Sequence, residues 1–201
     1  MAAAMTLPET EFVGIDLSRE AIERGRALAS EAELRNVQLE HIDLSLAGER
    51  FGRFDYIVAH GLYSWVPEAV RDALFQLIQC VLNTAGVAFV SYNVYPGWYL
   101  RRMVREMILG LGVEAARQWL ELLQPNADGS DAFNRVVGEE TADMLSLDTG
   151  YFFHDDLAPA KAAFYFREFV KHASSYALQY VAESEPGANG LVGLKAVREN
   201  L

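Results

Sequence analysis

The stretch "EFVGIDLSREAIERGRALA", Glu11 to Ala29, decides the fold. Phe12–Asp16 is a short, largely apolar run and reads as a buried strand. Ser18 then stands where a helix N-cap is needed. Ala21, Ile22, Gly25, Leu28 and Ala29 follow at the i, i+3, i+4, i+7 spacing of one helix face. A strand, a sharp turn and an amphipathic helix make half of a βαβ unit, and the acid Asp16 closes the strand.

The rhythm repeats downstream. "VQLEHIDL" (Val37–Leu44) is a second strand, ending at another acid, Asp43. "FDYIVAH" (Phe54–His60) is a third; it is the most continuously apolar, so a central position is expected. Pro67 opens a helix with the stripe Val70, Leu74, Leu77, Ile78, Val81 and Leu82, which Gly86 should close. "GVAFVSY" (Gly86–Tyr92) is the fourth strand. Strands alternating with helices at this spacing predict an α/β fold with a parallel sheet.

From Trp98 the pattern turns helical, over 98–111, 113–123 and 131–147, with Gly110, Gly112 and "QPNADGS" as breaks. "DTGYFFHDDLAPAKA" (Asp148–Ala162) reads as an irregular loop. From Ala163 a helix is expected, with Phe166, Phe169, Val170 and Ala173 facing inward, followed by a strand. "PGANGLVGLKAV" (Pro186–Val197) is expected to add a last short strand. The expected organisation is a cofactor-type core over 1–97, a helical insertion or lid over 98–147, and a segment over 148–201 that completes the sheet.

With 201 residues, 51% of them hydrophobic and 22% charged, the chain has the composition of a globular protein that buries a real core. A net charge of −11 argues against nucleic acid as partner, because neutralising phosphates needs clustered Lys and Arg. The basic group Arg101, Arg102 and Arg105 reads as the solvated face of a helix. No apolar run reaches the roughly 20 residues of a membrane span, and the first residues carry no signal-peptide pattern, so no membrane insertion and a cytoplasmic location are expected. Cys80 is alone and no Cys/His group has zinc spacing, so neither a disulfide nor a metal is expected. Oligomeric state is open at this level.

Open α/β sheets bind ligands at the carboxyl ends of their strands. Asp16 can accept from both hydroxyls of a ribose there, and Asp43 from an adenine amino group; each can equally be a helix cap. "AHGLYSWVP" (Ala59–Pro67) brings His60 and Gly61 to the same kind of edge, followed by Tyr63 and Trp65. His60 is a possible base or a hydrogen-bonded structural residue, and Gly61 suits close backbone approach. "SYNVYPGW" (Ser91–Trp98) crowds Tyr92, Asn93, Tyr95 and Trp98 around a Pro96-Gly97 turn expected to be of type II. An Asn amide beside aromatic faces suits an amine or a cation; as plain packing the same rings plug the end of a sheet.

These strand ends together resemble the class I S-adenosylmethionine-dependent methyltransferases. "EFVGIDLS", "FDYIVAHGLYSWVP" and "VSYNVYPGW" more narrowly resemble bacterial members with a C-terminal methyltransferase regulatory domain, a group in which protein-lysine methyltransferases acting on outer-membrane protein are known. The resemblance covers roughly residues 1–185. It implies a Rossmann-like sheet and S-adenosylmethionine as cofactor, with Asp16 and Leu17 at the ribose and Asp43 and Leu44 framing the adenine. Ala59, His60 and Gly61 would border the methionine end. Tyr63, Trp65, Tyr92, Asn93, Tyr95 and Trp98 would form the catalytic pocket for a methyl acceptor, a protein lysine or a small molecule. The family's first strand and Gly-rich loop have no counterpart, and "MAAAMTLPE" resembles the end of the helix that follows that loop. The chain therefore reads as a piece of a longer methyltransferase, weak or inactive alone. The alternatives are a non-catalytic binding module on the same sheet and an NAD-type oxidoreductase; the latter uses the same Asp16 logic, but nothing after it resembles a hydride-transfer site.

Overall fold

In the computed structural model of the chain, residues 1–124, 131–158 and 161–184 are described. Contacts divide the chain into two units. One comprises Met1–Val58, Glu68–Phe89 and the described residues from Val170; the other comprises Ala59–Pro67 and Val90–Phe169.

In the first unit α1 (Ala2–Thr6) leads into β1 (Phe12–Asp16), α2 (Arg19–Glu31) and β2 (Val37–His41). β1 and β2 run parallel, with Phe12 opposite Val37 and Asp16 opposite His41. Local chemistry sets the turn between β1 and α2: the Ser18 amide donates to Asp16 Oδ1 at 2.7 Å, and Ser18 Oγ accepts from the Ala21 amide at 3.2 Å. Ile22 and Ala29 are the buried positions of α2; Leu28, expected beside them, is exposed. The Asn36 side-chain amide donates to the carbonyls of Ala4, Leu7 and Thr10, which fastens the start of the chain to the approach to β2. β2 is shorter than its sequence suggests, because Asp43 leaves it to cap α3 (Leu44–Ala47).

After a 3-10 turn at Gly48–Phe51 come β3 (Phe54–Ala59), α4 (Glu68–Val81) and β4 (Leu82–Val90). β3 pairs with β4 in a second two-stranded sheet. The expected central position of β3 is not found: among the described residues β4 is its sheet neighbour, and Tyr56 and Val58 are 76% and 71% exposed. Continuous apolarity implies cover on both faces, but the described residues cover only the face of Ile57 and Ala59. Leu74, Phe75, Ile78 and Val81 are the buried residues of α4, and the His172 ring lies 4.8 Å from that of Phe75, with its Nε2 2.8 Å from Asp72 Oδ1.

Gly86 does not close α4. The helix ends at Val81, and Gly86 lies inside β4, where a Cβ would stand 3.0 Å from the carbonyl oxygens of both Asn83 and Asp55. Two main-chain atoms cannot both retreat without disturbing β3 and β4. Gly86→Ala is therefore expected to destabilise the chain by about 1–3 kcal/mol, the range for overpacking. A chemical-denaturation midpoint unchanged by the substitution would contradict that reading.

The second unit holds α5 (Trp98–Ile108), α6 (Val113–Leu123), α7 (Ala132–Ser146) and α8 (Thr149–Phe152). Their apolar stripes meet in a core of Val104, Ile108, Ala116, Leu120, Val137, Met144, Phe152 and Leu157. The expected loop at 148–162 is thus largely helical: Asp148 caps α8 by accepting from the Gly150 and Tyr151 amides, and a π-helical turn continues through Phe153–Leu157. A helix this short leaves no periodicity to read. The Pro96-Gly97 turn is not of type II, because Tyr95-Pro96 is cis and Gly97 has φ −53°, where type II needs a positive value. β5 (Asn93–Tyr95) instead pairs in parallel with β6 (Ala163–Tyr165), a segment expected to be helical. α9 (Phe166–Ser175) begins only after it, Phe166 is exposed, and no strand follows among the described residues. The strand expected over 186–197 and most of "QPNADGS" lie outside those residues.

Candidate functional site

The first unit carries Asp16, Leu17, Asp43 and Leu44. Parallel pairing of β1 and β2 brings both acids to carboxyl ends of neighbouring strands. Asp16 is exposed; Oδ1 takes the Ser18 amide, and Oδ2 has no partner among the described residues. Leu17 is 69% exposed beside it, and its carbonyl lies 3.0 Å from His41 Nε2. Asp43 accepts from the Ser45 hydroxyl at 2.6 Å and the Ser45 amide at 2.8 Å, and these two bonds, the hydroxyl first, hold its carboxyl below the usual range. Asp43 is thus engaged as a cap through Oδ1, and Leu44 begins the helix it caps.

The second unit carries the other sequence candidates. Ala59 is buried at the end of β3, His60 is exposed, and Gly61 has φ +64°, backbone that favours glycine. The Gly61 amide donates to Ser91 Oγ at 2.8 Å, and the Ser91 amide to the Ala59 carbonyl at 3.2 Å. Ser64, fully buried, ties three segments together. Its hydroxyl accepts from the Asn93 amide at 2.7 Å, and its carbonyl accepts from the Ala162 amide at 2.8 Å.

Tyr63 and Tyr92 form an aromatic cluster with Phe164 and Phe169. Tyr63 is 2% exposed and meets the other three rings edge-on, while Tyr92 stacks on Phe169 at 4.1 Å. Tyr63 is therefore packing and not the lining of an open cleft. Tyr95 stacks on Tyr99 at 4.3 Å and accepts a hydrogen bond from Arg102 at 2.9 Å. Asn93 holds a buried amide nitrogen with no hydrogen-bond partner among the described residues, a costly state for a donor.

Trp65 and Trp98 converge on a residue that the sequence reading passed over. Lys161 Nζ lies 5.3 Å from the centroid of each indole and 3.9 Å from Asp156 Oδ1, with only 4% of its side chain exposed. Asp156 is fully buried and receives Arg101 in a bidentate pair, Nε at 3.0 Å and Nη2 at 2.7 Å. Glu140 stands 3.9 Å from Arg101, and burial raises its carboxyl against the opposing pull of that arginine.

The arginines of α5 are not a solvated face. Arg102 is exposed, but Arg105 is 5% exposed, and the Arg101 side chain is 19% exposed. The signal was present: Arg101, Val104, Arg105 and Ile108 fall on one i, i+3, i+4, i+7 stripe. Among the described residues no group of three or more His, Cys, Asp or Glu could hold a metal ion, and no helix is long and apolar enough to cross a membrane.

Residues 1–86 match a family described as "Methyltransferase domain". The chain is 34% identical over 190 residues to the uncharacterized protein RP789 of Rickettsia prowazekii, covering 90% of this chain and 34% of that one. It is 31% identical over 180 residues to the uncharacterized protein RP028 of the same organism, covering 85% of this chain and 72% of the relative. Among solved structures it superposes on PKMT2 from Rickettsia typhi with a TM-score of 0.83 at 31% identity, over 98% of this chain and 39% of that chain. The same protein in complex with AdoHcy gives 0.81 at 29% identity, with 97% and 41% covered. The chain thus spans little more than a third of RP789 and of the solved protein.

Proposed function

Because this chain belongs to the class I S-adenosylmethionine-dependent methyltransferases, we propose that it binds S-adenosylmethionine and serves methyl transfer to an amine, foremost a protein lysine. The observation that carries the reading is Asp16: an exposed carboxylate at a strand end, with one oxygen spent on the following turn and the other open to hydroxyl donors. Asp16, with Leu17, would hold the ribose, while Asp43 and Leu44 would border the adenine. Ala59, His60 and Gly61 would border the methionine end, where the left-handed Gly61 lets backbone approach closely.

The cofactor supplies an electrophilic methyl group on a sulfonium. The chain's own residues then have to hold the amine in line and keep water away. A lysine amine has an ordinary pKa of about 10.4, so an apolar aromatic surround that favours its neutral form is also needed. Trp65, Tyr92, Tyr95 and Trp98 supply aromatic faces. Asn93, whose buried amide is unspent, is the polar group best suited to orient an acceptor. Tyr63 supports these rings by packing. The division proposed at sequence level, a cofactor core over 1–97, a helical lid over 98–147 and a completing segment over 148–201, gives each part a role in that scheme. A cytoplasmic location suits a cofactor of this kind.

Calorimetric titration of the chain with S-adenosylhomocysteine and, separately, NAD tests the reading. Saturable binding of the first alone is expected. Binding of NAD alone would replace it with the oxidoreductase reading, and binding of neither would leave the non-catalytic module. With a labelled methyl donor, transfer to lysine peptides but not to free small amines would identify the acceptor class.

A further inference from the structure

The second unit contains a cavity of about 370 Å³ lined by Tyr95, Trp98, Arg102, Arg105, Glu106 and Lys161. Three of these six side chains are cationic and one is acidic. Glu106 is taken by Arg102, whose Nε lies 2.7 Å from it. Asp156, 3.9 Å from Lys161, gives both oxygens to Arg101. Arg105 is the exceptional member. It is 5% exposed, donates from Nη2 to the neutral carbonyl of Ala158, and its buried Nε has no hydrogen-bond partner among the described residues. A buried guanidinium with an unspent N–H is costly to leave in that state. Its planar fork matches a carboxylate or phosphate oxygen pair.

We propose that this cavity binds a carboxylate borne by the methyl acceptor, so that the protein selects an amine flanked by an acidic group. Arg105 Nε–H supplies the charge-assisted donor, the outer Arg102 adds its charge while its Nε and Nη1 serve Glu106 and Tyr95, and Tyr95 and Trp98 supply walls for the organic part of the ligand. The size of the cavity and its aromatic sides suit an organic anion. The chain's net charge of −11 weighs against a phosphate polyanion, which it repels at long range. The proposal rests on the methyl-transfer reading for its choice of ligand, but not for the chemistry of the cavity.

Tryptophan fluorescence reads the test directly, because Trp98 lines the cavity. The probes are the blocked dipeptide lysyl-glutamate, its lysyl-glutamine counterpart, and free glutarate, all titrated without any methyl donor. The acidic dipeptide is expected to bind about tenfold more tightly than the neutral one at 0.1 M salt, the scale of one charge-assisted hydrogen bond. Arg105→Met should abolish that difference. Arg102→Gln, an exposed change that leaves the core alone, should narrow it with an unchanged melting temperature. Equal binding of the two dipeptides, or full discrimination retained by the Arg102 variant, overturns the proposal. Glutarate binding as tightly as the acidic dipeptide would overturn the assignment to the acceptor and leave a site for small carboxylates. Because no methyl donor is present, discrimination without methyl transfer would sink only the enzymatic reading, and transfer without discrimination would sink only this one.

Discussion

Asp156→Ala is expected to cost about 3–5 kcal/mol of stability, the penalty for removing one partner from a buried ion pair. The carboxylate is fully buried, chelates the Arg101 guanidinium, and stands 3.9 Å from a lysine ammonium that is itself almost sealed from water. Deleting it leaves Arg101 with the longer contact to Glu140 and removes the carboxylate beside Lys161. For a unit of this size that corresponds to a loss of roughly 12 °C or more in melting temperature. The loss can be followed by near-ultraviolet circular dichroism of the clustered tyrosines. Asp156→Asn should recover little, because an amide keeps one acceptor but no charge. A melting curve within a few degrees of the parent would mean that water or the neighbouring Glu140 takes over, and that the network does not hold the unit together.

The second large effect is expected at Asp16, and it falls on affinity. If the carboxylate accepts ribose hydroxyls, Asp16→Ala should weaken S-adenosylhomocysteine binding by about 1.5–3 kcal/mol, roughly ten- to a hundredfold. If it serves only the turn before α2, the loss is about 1 kcal/mol of stability with affinity intact. Calorimetry and thermal melting on the same variant separate the two. Unchanged affinity with a lowered melting temperature would end the ribose assignment.

The parts of the fold that the sequence reveals are those set by neighbours along the chain. β1, the Ser18 cap and α2 follow from one short stretch, because strand, cap and helical stripe are local chemistry. The stripes of α4 and α5 follow for the same reason, and a strict reading of α5 would also have turned Arg101 and Arg105 inward. What fails depends on distant partners. Nothing in "FDYIVA" says that its neighbour would be β4 or that Tyr56 and Val58 would stand exposed, since pairing is decided elsewhere in the chain. The aromatic residues around "SYNVYPGW" were legible as a group, but their division was not. Tyr63 became packing because Phe164 and Phe169, about 100 residues away in sequence, close on it. Lys161 between Trp65 and Trp98 was invisible for the same reason: three segments far apart in the chain meet only in the fold.

The acids Asp16 and Asp43 belong to one unit, whereas the aromatic cluster, the buried ions and the helical core belong to the other. Substitutions with no shared partner add almost independently, so a change at the β1–α2 turn and one in the Arg101–Asp156–Lys161 network should combine additively. On the reading proposed here, a lineage can rework what it methylates while keeping what donates the methyl group. Divergence among relatives should then collect in the second unit around Arg105 and Lys161, with the β1–α2 turn held nearly still, as expected where evolution works on a replaceable part.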